Sequence, residues 1–402
     1  MVGHSISTAA VPALAADPTP VAQPGCDPVP AVTTARPRLR VCYIFCYRDV
    51  HYPRARAQIE ILRHSDEIDL LVADHHSGGA LRYVQTLRAL LAARRQRPDV
   101  YVLGFRGHEI AWLVRWLTRD HPLVFDALMS PWAALAEENK AGFLGQLVAP
   151  LVRQVEARAL HAAQLVLTDT PAHAAFYRQA FAVPAQKLLC LPVAAIESYA
   201  STRAPPRQSG GTFKVLFYGS FLPLHGVDII LRAAAAVRDL PLQFDFIGGS
   251  RRWRRALRQR CRQLGIERCT HRTWVPLNEL LELELPSASL VLGGPFGNTP
   301  QAARVITTKT CQSLAAARPT VIGQIDDNPG FCDRVNCLLV PRGDVQALAD
   351  ALRWAYAARD QLEAIGRAGR ELYATSLSSA VVERRLVPAL LSLRPGEHRQ
   401  SR

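Results

Sequence analysis

Residues Gly294 to Gly323 read GPFGNTPQAARVITTKTCQSLAAARPTVIG and gather most of the side chains in this 402-residue chain that could do chemistry. A glycine turn with Gly297 and Asn298 comes first, then Arg304, Thr307, Thr308, Lys309 and Gln312. Residues 306–317 carry apolar and small residues at helical spacing, so a helix capped by Thr307 or Thr308 is expected there. Lys309 falls in its first turn, where a cation opposes the helix dipole by roughly a few tenths of a kcal/mol. That cost makes sense where an anion binds, because the first amides of a helix already favour negative charge. Arg304 can fork onto phosphate oxygens. The order of residues therefore builds a pocket for a diphosphate and a ribose.

A second turn, YGSFLPLHGVDIILRA, has the same character. A strand ends at Tyr218, Gly219 turns the chain, and His225-Gly226 opens a helix. Glycines there let backbone amides approach a phosphate. His225 can donate a hydrogen bond and, if protonated, supply a charge. In the first half of the chain, Arg54 and Arg56 open the helix after the first strand. Arg106, His108 and Glu109 lie at a strand end, and Asp126 and Ser130 follow the strand PLVFDA.

These residues need a scaffold, and the hydrophobic pattern supplies one. Short apolar runs (LRVCYIFC, IDLLVAD, DVYVLGF, PLVFDAL, QLVLTD) alternate with helical stretches, then the alternation begins again with FKVLFYGSF, LQFDFIGG, SLVLGG, PTVIG and CLLVP. Strands so uniformly apolar, alternating with helices, indicate parallel sheets covered on both faces. The chain divides into a leader (1–36), a Rossmann-like domain (37–200), a second Rossmann-like domain (201–375) and a terminal helix with tail (376–402). Two doubly wound domains leave a cleft at the carboxyl ends of their strands, where ligands sit in open α/β sheets.

Composition narrows the chemistry further. Hydrophobic residues make up 49% and charged residues 20%, enough for two cores. The net charge is +14, and the only lysines are Lys140, Lys187, Lys214 and Lys309; the rest of the positive charge is arginine. Arginine dominance beside abundant alanine fits a GC-rich bacterial genome, and the charge favours anionic partners. No basic–aromatic interleaving marks a nucleic-acid module, so none is expected to bind. The nine cysteines form no CxxC pair or zinc spacing, and read as reduced thiols of a cytoplasmic protein. No apolar run reaches about 18 residues, and the Ala/Pro/Thr-rich leader has no basic start or apolar core, so neither a spanning helix nor a secretion signal is expected. Asp-x-Asp, GxSxG, P-loop and GxGxxG motifs are all missing. The arginine helix 251–264 and the helices around 81–95 and 112–116, which mix arginine with large apolar groups, suit an anionic membrane surface.

In order along the second half, VLFYGSFLPLHGVDIIL, the 294–323 segment and NCLLVPRGD resemble the donor-binding half of group 1 glycosyltransferases of the retaining family 4 type. The resemblance covers residues 38–393 and implies a GT-B fold. It implies an enzyme that moves a sugar from a UDP- or GDP-sugar to a glycan or lipid-linked acceptor, without a metal, in cell-surface polysaccharide or glycolipid synthesis. His225, Arg304, Lys309 and the helix dipole would share the diphosphate, Gln312 would meet the ribose, Trp274 and Val275 would border the base, and the turn at Gly297 and Asn298 would face the sugar. Asp126 and His108 would be acceptor-side groups, with His225, in catalysis. The departures are specific: the family commonly carries Lys-Gly where this chain has His225-Gly226, and two glutamates that fall here on Arg304 and Gln312. Two other functions stay in view: a non-catalytic GT-B partner in a polysaccharide assembly complex, suggested by the missing glutamates, and a GT-B nucleotide-sugar epimerase, which shares the fold.

Overall fold

The computed structural model describes residues 37–49, 52–138, 141–195 and 212–395. The leader and residues 196–211, which span the expected boundary between the two Rossmann-like domains, lie outside the described residues. Two sheets form, each of six strands and parallel throughout. The first runs β2-β1-β3-β4-β5-β6, from β1 (Leu39–Ile44), β2 (Ile68–Ala73), β3 (Val100–Leu103), β4 (Leu123–Asp126), β5 (Leu165–Thr168) and β6 (Leu188–Cys190). The second runs β12-β11-β10-β7-β8-β9, from β7 (Phe213–Gly219), β8 (Leu242–Gly248), β9 (Cys269–Arg272), β10 (Leu290–Leu292), β11 (Thr320–Gly323) and β12 (Leu338–Val340).

Each order reverses beside its first strand, at β1/β3 in one sheet and β7/β10 in the other, which is the switch point of a doubly wound sheet. The central strands β3, β4, β10 and β11 are buried along their whole length, so both faces are covered and no polar alternation appears. In the first half the covering helices are α1 (Pro53–His64), α2 (Leu81–Arg94), α3 (Ala111–Leu117), α4 (Pro131–Ala136), α5 (Gly142–Ala162) and α6 (Pro171–Phe181). In the second they are α7 (Val227–Ala236), α8 (Arg251–Gln263), the short α9 (Leu277–Glu279) and α10 (Leu285–Ser287), α11 (Pro300–Arg304), α12 (Thr308–Ala315), α13 (Val345–Ala357), α14 (Leu362–Leu372) and α15 (Ser379–Leu391).

Helix starts at the sheet edges follow local chemistry. Ser130, Thr170, Thr299 and Thr307 each accept the amide three residues on, and Pro131, Pro171 and Pro300 occupy the first helical position. Of the two threonines read as caps of the 306–317 helix, Thr307 does the capping, and the helix is shorter at both ends.

From Arg38 on, the chain is one compact unit. Between the sheets, Phe105, Leu128 and Val193 of the first half meet Ile306, Cys311, Leu314 and Ile322 of the second. The last helix, α15, lies on α1 and inserts Val382, Leu386, Val387 and Leu390 among Leu39, Val41 and Tyr43 of the first sheet's core.

Candidate functional site

Strands β4, β5 and β7 end at a cavity of about 310 Å³ between the two halves. Tyr52, Pro53, Leu128, Met129, Asp169 and Val193 wall it from the first half. Tyr218, Gly219, Ser220, His225 and residues 305–309, with Gln301 and Gln312, wall it from the second.

The centre of the second wall is a cationic cradle. Gly219 adopts φ +144, and a Cβ placed on it would lie 3.3 Å from His225 Cε1 and 3.4 Å from Lys309 Nζ. Only glycine keeps that space open. Lys309 is 5% exposed, and among the described residues no carboxylate forms an ion pair with it. Its nearest described electronic partner is the Phe217 ring, with Nζ 5.3 Å from the centroid. Burial pushes its ammonium down from 10.5 to about 7. A buried lysine without a counter-ion is costly on its own and is relieved by a bound anion.

His225 faces the same space in a defined tautomer. Its Nδ1 accepts the Leu222 amide at 3.2 Å, so in the neutral ring Nε2 carries the proton. Burial, and then neighbouring Lys309, hold its pKa well below the ordinary 6.5. It is thus a neutral donor near pH 7, and the charge expected of it on protonation is not available.

The N-terminus of α12 completes the wall. Thr307 Oγ1 accepts from the Thr310 amide at 3.3 Å and donates to the Gly293 carbonyl at 2.7 Å, locking the helix start to the end of β10. The cap serves the third amide, leaving those of Thr308 and Lys309 at the mouth of the helix without intrahelical partners. Deeper in, Tyr218 Oη donates to Gln312 Oε1 at 3.0 Å. The Gln312 carbonyl, expected to take a ribose hydroxyl, is therefore engaged, and its amide NH2 is the end left to donate.

Several expected residues lie elsewhere. Arg304 does not line the cavity. Its guanidinium bonds Glu137 beyond the end of α4, lies 4.0 Å from the Phe176 ring centroid on α6, and donates through Nε to the Pro300 carbonyl at 3.0 Å. The five-residue α11 turns it toward the first half, a helix that the 294–304 segment hid from sequence reading although Thr299-Pro300 is a helix-start signal. Gly297 is a packing glycine: its amide donates to the Leu224 carbonyl at 3.0 Å, and a Cβ would meet Pro223 O at 2.2 Å. It fixes the His225 turn against the 294–297 turn. Asn298 is exposed and rests against Gly343. Trp274 is 75% exposed and off the cavity, while Val275 packs with the cluster of Leu216, Tyr218 and Ile247.

In the first half, Asp126 and His108 are both interior groups. Asp126 is fully buried and ion-paired with Arg54 at 2.8 Å, and Arg54 also donates to the Leu191 carbonyl at 3.0 Å. His108 is 3% exposed, meets the edge of Phe125 at 4.8 Å between centroids, and is pushed down by burial to about 3. Neither lines the cavity. The carboxylate that does is Asp169, beyond the end of β5, where His173 Nδ1 donates to its Oδ1 at 2.7 Å. Its signal was available: the strand QLVLT ends one residue before it, and Thr170-Pro171 starts a helix just after. Among the described residues, no cluster of three or more His, Cys, Asp or Glu is arranged to hold a metal ion.

Residues 212–358 match the family Glycosyl transferases group 1, so the second half carries a group 1 glycosyltransferase domain. No curated protein matches the sequence. Among solved structures, HepE of Anabaena, in complex with UDP and glucose, is similar at TM-score 0.66 and 14% identity over 88% of this chain and 100% of its own. Sucrose-phosphate synthase of Thermosynechococcus elongatus reaches TM-score 0.68 at 16% identity over 89% and 99%. A glycosyltransferase of Rickettsia africae reaches 0.62 at 8% identity over 90% and 100%. The likeness is one of fold, and the architecture of two parallel six-stranded sheets is GT-B.

Proposed function

We propose that this chain transfers a glycosyl group, with retention, from a nucleoside-diphosphate sugar to a glycan or lipid-linked acceptor. One observation carries the reading: a buried lysine without a carboxylate partner among the described residues, at a helix N-terminus, beside a glycine whose Cβ would close the space. In a group 1 glycosyltransferase domain, a donor diphosphate fits that space. The anion restores a full charge to Lys309, and His225 Nε2–H and the first amides of α12 add neutral donors. These groups lower the barrier chiefly by stabilising the negative charge that grows on the departing diphosphate. As the bond from C1 to the phosphate oxygen breaks, the acceptor oxygen bonds to C1 on the same face and its proton passes to the departing diphosphate. The Gln312 amide and Tyr218 sit where a ribose would extend from the diphosphate.

Asp169, steadied by His173, faces this wall from the first half and is the residue placed to orient an acceptor hydroxyl. Similarity to HepE, which was also solved with UDP-glucose, makes UDP-glucose the donor to try first, with GDP-sugars after it. The binding chemistry needs no metal, since lysine and helix amides take the role a divalent ion would fill.

Calorimetric titration with UDP, GDP and ADP in the absence of metal tests the reading. Micromolar binding of one nucleotide, weakened in Lys309→Ala by about 1–3 kcal/mol as for a charge-assisted hydrogen bond, is the expected result. No binding of any of them overturns it. A second reading is a nucleotide-binding partner that transfers nothing, favoured by Arg304 and Gln312 in place of the family's glutamates. Release of free UDP from UDP-glucose only when an acceptor extract is added separates transfer from that reading.

A further inference from the structure

The long helix α5 carries an apolar stripe that the first sheet does not use. Phe143, Leu144, Leu147, Val148 and Leu151 recur at helical spacing and are 45–79% exposed. Helix α3, which packs against α5, adds Trp112 at 68% and Trp116 at 63%. Large apolar side chains grouped this way on one face mark an interaction surface, unlike scattered single ones.

Charge identifies the partner. Helices α2, α3 and α5 contain one carboxylate between them, Glu156, and it is fully buried. The same helices expose Arg88, Arg94 and Arg158, and α3 adds half-buried Arg115. An apolar stripe with two tryptophans, on helices that expose arginines and no acids of their own, has the composition of a helix face lying in an anionic bilayer surface. The arginine-rich α8 is a weaker candidate, because it exposes charge but no large apolar side chain.

We infer that the α3–α5 face docks the first half of the molecule on an anionic lipid surface, with the α5 stripe entering the headgroup boundary. The inference stands apart from the donor reading, and nucleotide calorimetry on the same samples keeps failure of one distinct from failure of the other.

Cosedimentation of the full chain with phosphatidylcholine vesicles, and with vesicles in which part of the lipid is phosphatidylglycerol, tests the inference. Binding should favour the anionic vesicles by about tenfold or more and weaken with salt, since each arginine near an anionic surface is worth about fivefold. Leu147→Ser with Leu151→Ser should cut binding about tenfold or more, and Arg158→Glu should lower only the anionic preference. All the altered residues are exposed, and unchanged nucleotide affinity shows that the variants are folded. No binding to either vesicle, or equal binding by the leucine variant, overturns the inference. Concentration-dependent dimers in gel filtration that the leucine variant abolishes, without vesicle binding, also overturn it and assign the stripe to a second copy of the chain.

Discussion

On the proposed function, Lys309 ties donor binding to pH. Its ammonium is held near pH 7 in the folded chain, against 10.5 for an ordinary lysine. The unfolded chain thus binds the extra proton between about 7 and 10.5, so the free protein gains stability as pH rises across that window. A diphosphate at Lys309, as proposed, favours the protonated form, so nucleotide binding above pH 7 should take up a proton. Affinity should fall as pH climbs from about 7 to 9, and calorimetry in buffers of different ionisation enthalpy should register the uptake. Lys309→Arg, charged throughout, should flatten the profile; a wild-type profile already flat would remove Lys309 from the diphosphate. Glu156 titrates in the opposite sense. Burial raises it from 4.5 to about 7, against hydrogen bonds from Ser130 and the Trp132 amide. Its contribution is complete below about pH 4.5 and fades as pH rises through about 7. Thermal melts should show wild type losing ground to Glu156→Gln between pH 5 and 8.

At the scale of elements, α11 acts as a clasp between the halves. Arg304 meets Glu137 and Phe176, the Thr299 hydroxyl bonds Glu138 at 3.1 Å, and the Arg304 carbonyl accepts from Thr170. Arg304→Ala and Glu137→Ala should leave UDP affinity near wild type while slowing transfer. In a double-mutant cycle the pair should show coupling of about 0.5–3 kcal/mol. A large loss of UDP affinity in Arg304→Ala alone would restore the arginine to the diphosphate. The buried ion pair of Arg54 and Asp126 is structural in the same sense: Arg54→Ala strands a fully buried carboxylate and should cost about 3–5 kcal/mol in denaturant unfolding.

Sequence pattern gave the alternating elements, the doubly wound sheets and the Gly219–His225–Lys309 cradle because each has a local signature: apolar runs, a glycine turn, a capped helix. The direction of Arg304 had no such signature, since it depends on a five-residue helix and on partners about 130 and 170 residues away. Asp126 misled for a related reason. A carboxylate at a strand end reads alike whether it faces a cleft or an arginine from another helix, and only packing between α1 and β4 decides.

At the scale of the whole molecule, α15 is an integral part of the first half. Val382, Leu386, Val387 and Leu390 are at most 3% exposed against the first sheet, and burying each is worth about 1.5–3 kcal/mol. A chain ending after Leu377 should lose the sharp single melt and bind an apolar dye, with the first half affected before the second. Retention of the full melting temperature would show that α15 is dispensable.

That arrangement also has a consequence in time. Synthesis runs from the first residue to the last, and the strands of the first sheet emerge roughly 200 residues before α15 does. At about 5–20 residues per second, the nascent first half waits some ten seconds or more with one flank of its core open. The second half, closed by α7, α8, α13 and α14, has its own core complete sooner after its strands appear. The ribosome thus delivers the parts in one order and the finished cores close in the other, and chaperones have their longest exposure to the half translated first.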